Sequence, residues 1–98
     1  MKIKVHKSYR NVVAVCDSEL IGKTFEEGEK FLEVRETFYN GDEIEETKLV
    51  EVLADWGKED AIFNIVGQKS VDSAIKAKII LKECVKTVQG IPFALVLL

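Results

Sequence analysis

Apolar and polar residues alternate one for one at the start of the chain, where Ile3 and Val5 stand between Lys2, Lys4 and His6. A period of two marks a strand with one buried face, and it predicts a strand over residues 2–7. Asn11 then leads into VVAVC, residues 12–16, an unbroken apolar run that fits a more central strand. Asp17, Ser18 and Glu19 read as a turn. A third strand is expected over residues 20–25, with Gly22 as a bulge or bend. A fourth is expected over residues 31–38, where Glu33 and Arg35 face away from Leu32 and Val34. Short strands joined by tight turns predict an antiparallel meander.

The period changes after Tyr39-Asn40-Gly41. Asp42 with Glu45 three residues on resembles a capping box, and acidic residues 43, 45 and 46 suit the positive end of a helix dipole. Leu49, Val52, Leu53 and Trp56 then recur at i, i+3, i+4 and i+7, the stripe of an amphipathic helix that Gly57 ends. Ile62, Phe63, Ile65 and Val66 predict a strand, and Val71, Ala74 and Ile75 the inner stripe of a second helix. Residues 79–81 fit a strand or a helix tail equally well. Two last strands are expected over residues 85–88 and 92–98, with a turn at Gly90-Ile91-Pro92. Because FALVLL does not alternate, this final run is expected to be buried on both faces, as an interior strand or in a subunit contact.

This order predicts an α+β fold in one domain, residues 1–98: a two-layer sandwich of a mainly antiparallel sheet with two helices on one face. The other face is expected to carry Lys2, Lys4, His6, Glu33 and Arg35. A hydrophobic fraction of 47% with 32% charged residues suits a folded rather than a disordered chain.

The net charge of −3 argues against a general nucleic-acid binder, yet the charge is unevenly spread. Residues 1–10 carry four basic side chains and no acidic ones, residues 11–60 carry five basic and fifteen acidic, and residues 61–98 carry five basic and two acidic. If the two ends meet in the fold, they form one basic face, and Lys2, Lys4, His6 and Arg10 become candidate RNA contacts beside Tyr9, Phe38 or Tyr39. No RNP-type run of glycine, aromatic and basic residues accompanies them. The start has no apolar core of a signal peptide, and IPFALVLL falls short of the roughly 20 residues that span a bilayer, so a cytoplasmic protein with reduced thiols and no membrane is expected.

The segment from Ala61 to Ala77 offers the clearest hint of a ligand, a strand passing through Gly67 into a helix. Backbone N–H groups at such a joint, with the Lys69 ammonium, suit an anion, and Lys23, Asn64, Gly67, Gln68 and Lys69 are the candidate ligand-binding residues. The joint is neither a P-loop nor a dinucleotide fingerprint, and a plain turn explains it equally well. Cys16 beside Asp17 has only His6 as an available base, and both Cys16 and Cys84 read as small buried residues rather than nucleophiles. No catalytic residue, metal site or cofactor is expected.

Five stretches, VVAVCD at 12–17, LIGKTFEEG at 20–28, EVRETFY at 33–39, NIVGQKSVDSAI at 64–75 and GIPFALV at 90–96, resemble a small archaeal family of similar chain length known only as a domain of unknown function. The resemblance implies a cytoplasmic archaeal protein with a compact two-layer α/β sandwich. It brings no catalytic or binding residues, and it marks Cys16, Asp17, Gly22, Lys23, Phe25, Asn64, Gly67, Gly90 and Pro92 as matching positions. The expected function is a non-enzymatic binding or adaptor module, associated with RNA or the translation apparatus. The alternative is a small enzyme or a nucleotide or phosphate binder using the Gly67 turn. A homodimer through residues 92–98 is compatible with both.

Overall fold

The two unbroken apolar runs become the central strands of the sheet. In the computed structural model, which describes residues 1–97, the chain order is β1 (Lys2–His6), β2 (Asn11–Cys16), β3 (Thr24–Glu27), β4 (Lys30–Glu33), α1 (Glu36–Tyr39), β5 (Asp42–Glu43), α2 (Glu46–Trp56), β6 (Ala61–Val66), α3 (Gln68–Lys76), β7 (Lys86–Val88) and β8 (Ile91–Leu97). Six strands form one sheet in the order β5-β1-β2-β6-β8-β7. Only β2 and β6 run parallel, and the crossover between them carries α2. The remaining neighbours in that sheet are antiparallel.

One face of the sheet is closed by α2 and α3, as the α+β pattern predicts. Val13, Val15, Phe63 and Ile65 point to that face and are fully buried, together with Leu49 and Leu53 of α2 and Ala74 of α3. Val52 and Trp56 complete the helical stripe at its half-buried margin. Each fully buried Leu or Phe contributes about 2 kcal/mol through surface removed from water, which outweighs the weak local signals around it.

The opposite face departs from the open basic surface expected of it. β3 and β4 leave the main sheet, form their own antiparallel hairpin, and fold back over Cys16 and Val66 with the buried Leu20 and Val34. The one-turn helix α1 lies beside them, with Tyr39 buried and the Phe38 ring stacked on His6 at 4.5 Å. The four-strand meander therefore stops after β2. The strand expected over residues 20–25 is a 3₁₀ turn, Ser18–Leu20, followed by β3, because Gly22 at φ +82° reverses the chain and its N–H donates to the Val34 carbonyl at 2.7 Å. The strand expected over residues 31–38 ends at Glu33, since burying Tyr39 and Val34 on the sheet requires a turn between them. Glu33 and Arg35 pair with each other at 2.8 Å on this appendage and do not lie on the sheet face.

Asp42 is not a helix cap. It pairs with Ile3 in the two-residue strand β5, and α2 begins after Glu45 with no side-chain cap. Gly57 follows the last residue of α2, as expected. The final strand is not buried on both faces: Leu95 and Leu97 are 63% and 66% exposed. The expected strand end at Leu98 lies outside the described residues.

Candidate functional site

The strand-to-helix joint is closed by the protein itself. Gly67 sits at φ +107°, and a Cβ there would lie 2.4 Å from Asp17 Cγ, so neither the backbone angle nor the space admits a side chain. Asp17 is only 5% exposed. Its carboxylate accepts the Lys69 N–H at 3.2 Å, the Ser70 N–H at 2.9 Å and the Ser70 hydroxyl at 2.8 Å. β2 and β6 run parallel and end together at Cys16 and Val66, which brings Asp17 onto the start of α3. A carboxylate at a helix N-terminus matches the dipole and satisfies donors that the helix leaves unpaired. The chain's own anion thus occupies the place expected for a bound phosphate.

The other candidate ligand residues are not gathered there. Gln68 reaches along its own helix to Asp72 at 2.9 Å. Lys23 is exposed in the turn before β3, where its backbone is tied to Leu20 and Val34. Asn64 is half-buried in mid-sheet, between Ala14 and Leu95.

The basic residues are partnered in turn. Lys2 lies 3.4 Å from Glu43, which also receives the N-terminal amine at 2.7 Å. Lys4 donates to the Thr37 carbonyl at 2.7 Å, His6 Nε2 is 2.8 Å from the Phe38 carbonyl, and Arg10 pairs with Asp60 at 2.6 Å. The amine and the Ser18 hydroxyl hold the Glu43 carboxyl down at about 2. Intramolecular pairing therefore engages the charges that the sequence suggested for RNA.

The register separates Cys16 from His6. Lys2 stands opposite Cys16 and His6 opposite Val12, so the hairpin puts the only histidine at the far end from the thiol. Burial, reinforced by the Asp17 charge, pushes the Cys16 thiol up to about 12, and burial does the same to Tyr39. Cys84, expected to be buried, is exposed at the end of the 3₁₀ turn Lys82–Cys84. Among the described residues no group of three His, Cys, Asp or Glu side chains is placed to hold a metal ion.

What remains accessible is the uncovered part of the sheet face opposite α2 and α3. The register sets His6, Val12, Ile62 and Leu97 in one row across β1, β2, β6 and β8, and Lys4, Ala14, Asn64 and Leu95 in the next. Val12, Ile62 and Asn64 are half-buried, and the patch opens fully at Leu95 and Leu97. The sequence pattern missed these two leucines. Their exposure is set by the β3–β4 region, which packs over that face at Phe93 and Ile91 and leaves the two leucines open.

Fold and site together define a small α+β protein with a glycine joint capped by Asp17 and an exposed apolar strip at Leu95 and Leu97. A family model described as "Protein of unknown function (DUF424)" matches residues 6–98. The chain belongs to this family. It is similar in fold to a crystal structure of an uncharacterized conserved protein from Methanopyrus kandleri, with 18% identity, 97% of this chain and 88% of that chain covered, and a TM-score of 0.83. No curated protein matches the sequence. No helix among the described residues is long and apolar enough to cross a membrane.

Proposed function

We propose that the protein is a non-enzymatic binding module that engages a protein partner through the uncovered sheet face around Ile62, Asn64, Leu95 and Leu97. The observation carrying this reading is the pair of exposed leucines, continuous in register with half-buried Val12 and Ile62. An apolar strip gains most from contact with another apolar surface. A photocrosslinking amino acid in place of Ile62 tests it in the native cell. The expected result is one dominant crosslinked protein that is absent when the probe replaces Lys48, an exposed residue on α2. The same pattern from both positions overturns the reading.

A second reading, single-stranded RNA and a link to the translation apparatus, draws on one feature. Tyr9 is fully exposed in the turn between β1 and β2, with Lys7 exposed beside it, the combination of a stacking ring and a cation that a base and its phosphate require. Salt-sensitive gel shifts that Tyr9→Ala abolishes are its expected signature. Equal mobility with and without RNA at low salt removes it. The alternative, a phosphate ligand at Gly67, would have to compete with Asp17 for the Lys69 and Ser70 amides.

A further inference from the structure

β8 is longer than the strand beside it. β7 pairs with Ile91, Pro92 and Phe93 alone, so residues 94–97 have β6 on one side and, among the described residues, no strand on the other. The hydrogen-bonding phase of this edge can be read from one bond. The Pro92 carbonyl accepts the Gly67 N–H at 2.8 Å, which directs the backbone groups of Pro92 towards the β6 side. Backbone direction alternates along an antiparallel strand, so Ala94 and Val96 also turn to β6. Leu95 and Leu97 turn their N–H and C=O groups outward, to the open edge.

The edge lacks the devices that usually protect one. Residues 94–97 contain no charge and no proline, and their outward-facing residues are leucines. A groove of about 300 Å³, lined by Cys84, Lys86, Phe93, Ala94 and Leu95, opens where β7 stops. The β7 pairing shows that this same side of β8 accepts an antiparallel strand three residues earlier.

We propose that this open edge pairs with the same edge of a second copy of the chain, antiparallel, about a twofold axis through Val96. The choice of occupant follows from self-complementarity. With the axis at Val96, Leu95 of each copy stands opposite Leu97 of the other, so the two outward-facing residues meet as hydrogen-bonded pairs and exchange four N–H···O bonds. The leucine side chains all lie on the face away from α2 and α3, where they form one cluster, and Val96 faces its mate on the helix side. A charged strand would oppose like charges across such an axis, and this neutral one does not. The dimer joins two uncovered faces into one continuous surface. Its role as a binding surface rests on the reading under "Proposed function", whereas the pairing itself does not.

The test is sedimentation velocity and amide hydrogen exchange on the full chain, from about 1 to 200 µM, a range chosen to bracket micromolar affinities. The wild type is expected to sediment at twice the chain mass of 11.0 kDa at the upper concentrations. The Leu95 and Leu97 amides are expected to be protected there and to exchange roughly tenfold faster on dilution to monomer. Leu95→Pro removes an outward N–H that β6 does not use and is expected to give a folded monomer. Leu97→Lys, which keeps the backbone, is expected to weaken the dimer at least tenfold, so the proposal stays open to refutation if the proline variant does not fold. A monomeric wild type across the whole range overturns the pairing, and so does a folded Leu95→Pro variant that remains dimeric. Either result leaves the Ile62 crosslink unaffected, whereas a dimer with no such crosslink counts against the binding face alone.

Discussion

The Gly67 joint and the outer edge of β8 make opposite promises in sequence and keep neither. The joint is rich in polar residues and glycine, which suggests a ligand, yet Asp17 satisfies its donors inside the fold. The edge is plain and apolar, which suggests core, yet its leucines face solvent and its outward backbone groups have no strand beside them among the described residues. Polar chemistry near a helix start is therefore available for function only where tertiary structure leaves it unspent, and an apolar run is core only where a neighbour reaches it.

The sharpest way to break this contrast is at the joint. Gly67→Val forces a β-branched residue to φ +107° and drives its Cβ into Asp17, and it is expected to cost about 3 kcal/mol, or roughly 15 °C in Tm, by thermal denaturation. A change below a few degrees would mean that the turn and the carboxylate relax easily. Asp17→Ala comes next, at about 2 kcal/mol, because the Lys69 and Ser70 amides and the Ser70 hydroxyl lose their acceptor. Chemical denaturation of Asp17→Asn should show about half that loss, since one oxygen still accepts. At the β8 edge, Leu97→Lys should leave the stability of the monomer within about 0.5 kcal/mol of wild type, because the side chain already stands in water.

The smallest effect is electrostatic and lies at the other sheet edge. Glu43 has its carboxyl lowered to about 2 by the N-terminal amine and Ser18, so its folded value lies below its unfolded one. The stabilisation it supplies is complete above the unfolded value near 4.5 and fades as pH falls towards 2. Comparing Tm between pH 5 and 2 for wild type and Glu43→Gln should show a slightly steeper acid loss in the wild type. Parallel curves would show that the exposed pair contributes nothing.

Where the fold was legible in sequence, burial and periodicity agreed. Leu49, Val52, Leu53 and Trp56 form a helix because that stripe meets a sheet, and Ala61–Val66 is a strand because its alternate residues meet α2 and α3. The errors came where a distant residue decided a local conformation. Residues 31–38 alternate as a strand should, but the need to seat Tyr39 on the sheet beside Cys16 turns the chain into α1. Asp42 has the spacing of a cap, and pairing with Ile3 takes it into β5 instead. Asp17 and Ser70 are separated by 53 positions, so no window along the chain could have linked the carboxylate to the helix it caps. The exposure of Leu95 and Leu97 likewise depends on how far the distant β3–β4 region reaches over that face, where it packs with Ile91 and Phe93.

Capture of the crosslinked partner by wild type, Asn64→Lys and Lys69→Ala in parallel, with Tm measured for each, weighs the two regions against one another most directly. The account predicts that Asn64→Lys loses the partner while Lys69→Ala retains it at wild-type level, with all three folded. Retention by Asn64→Lys together with loss in Lys69→Ala would place the working surface at the helix start and contradict it.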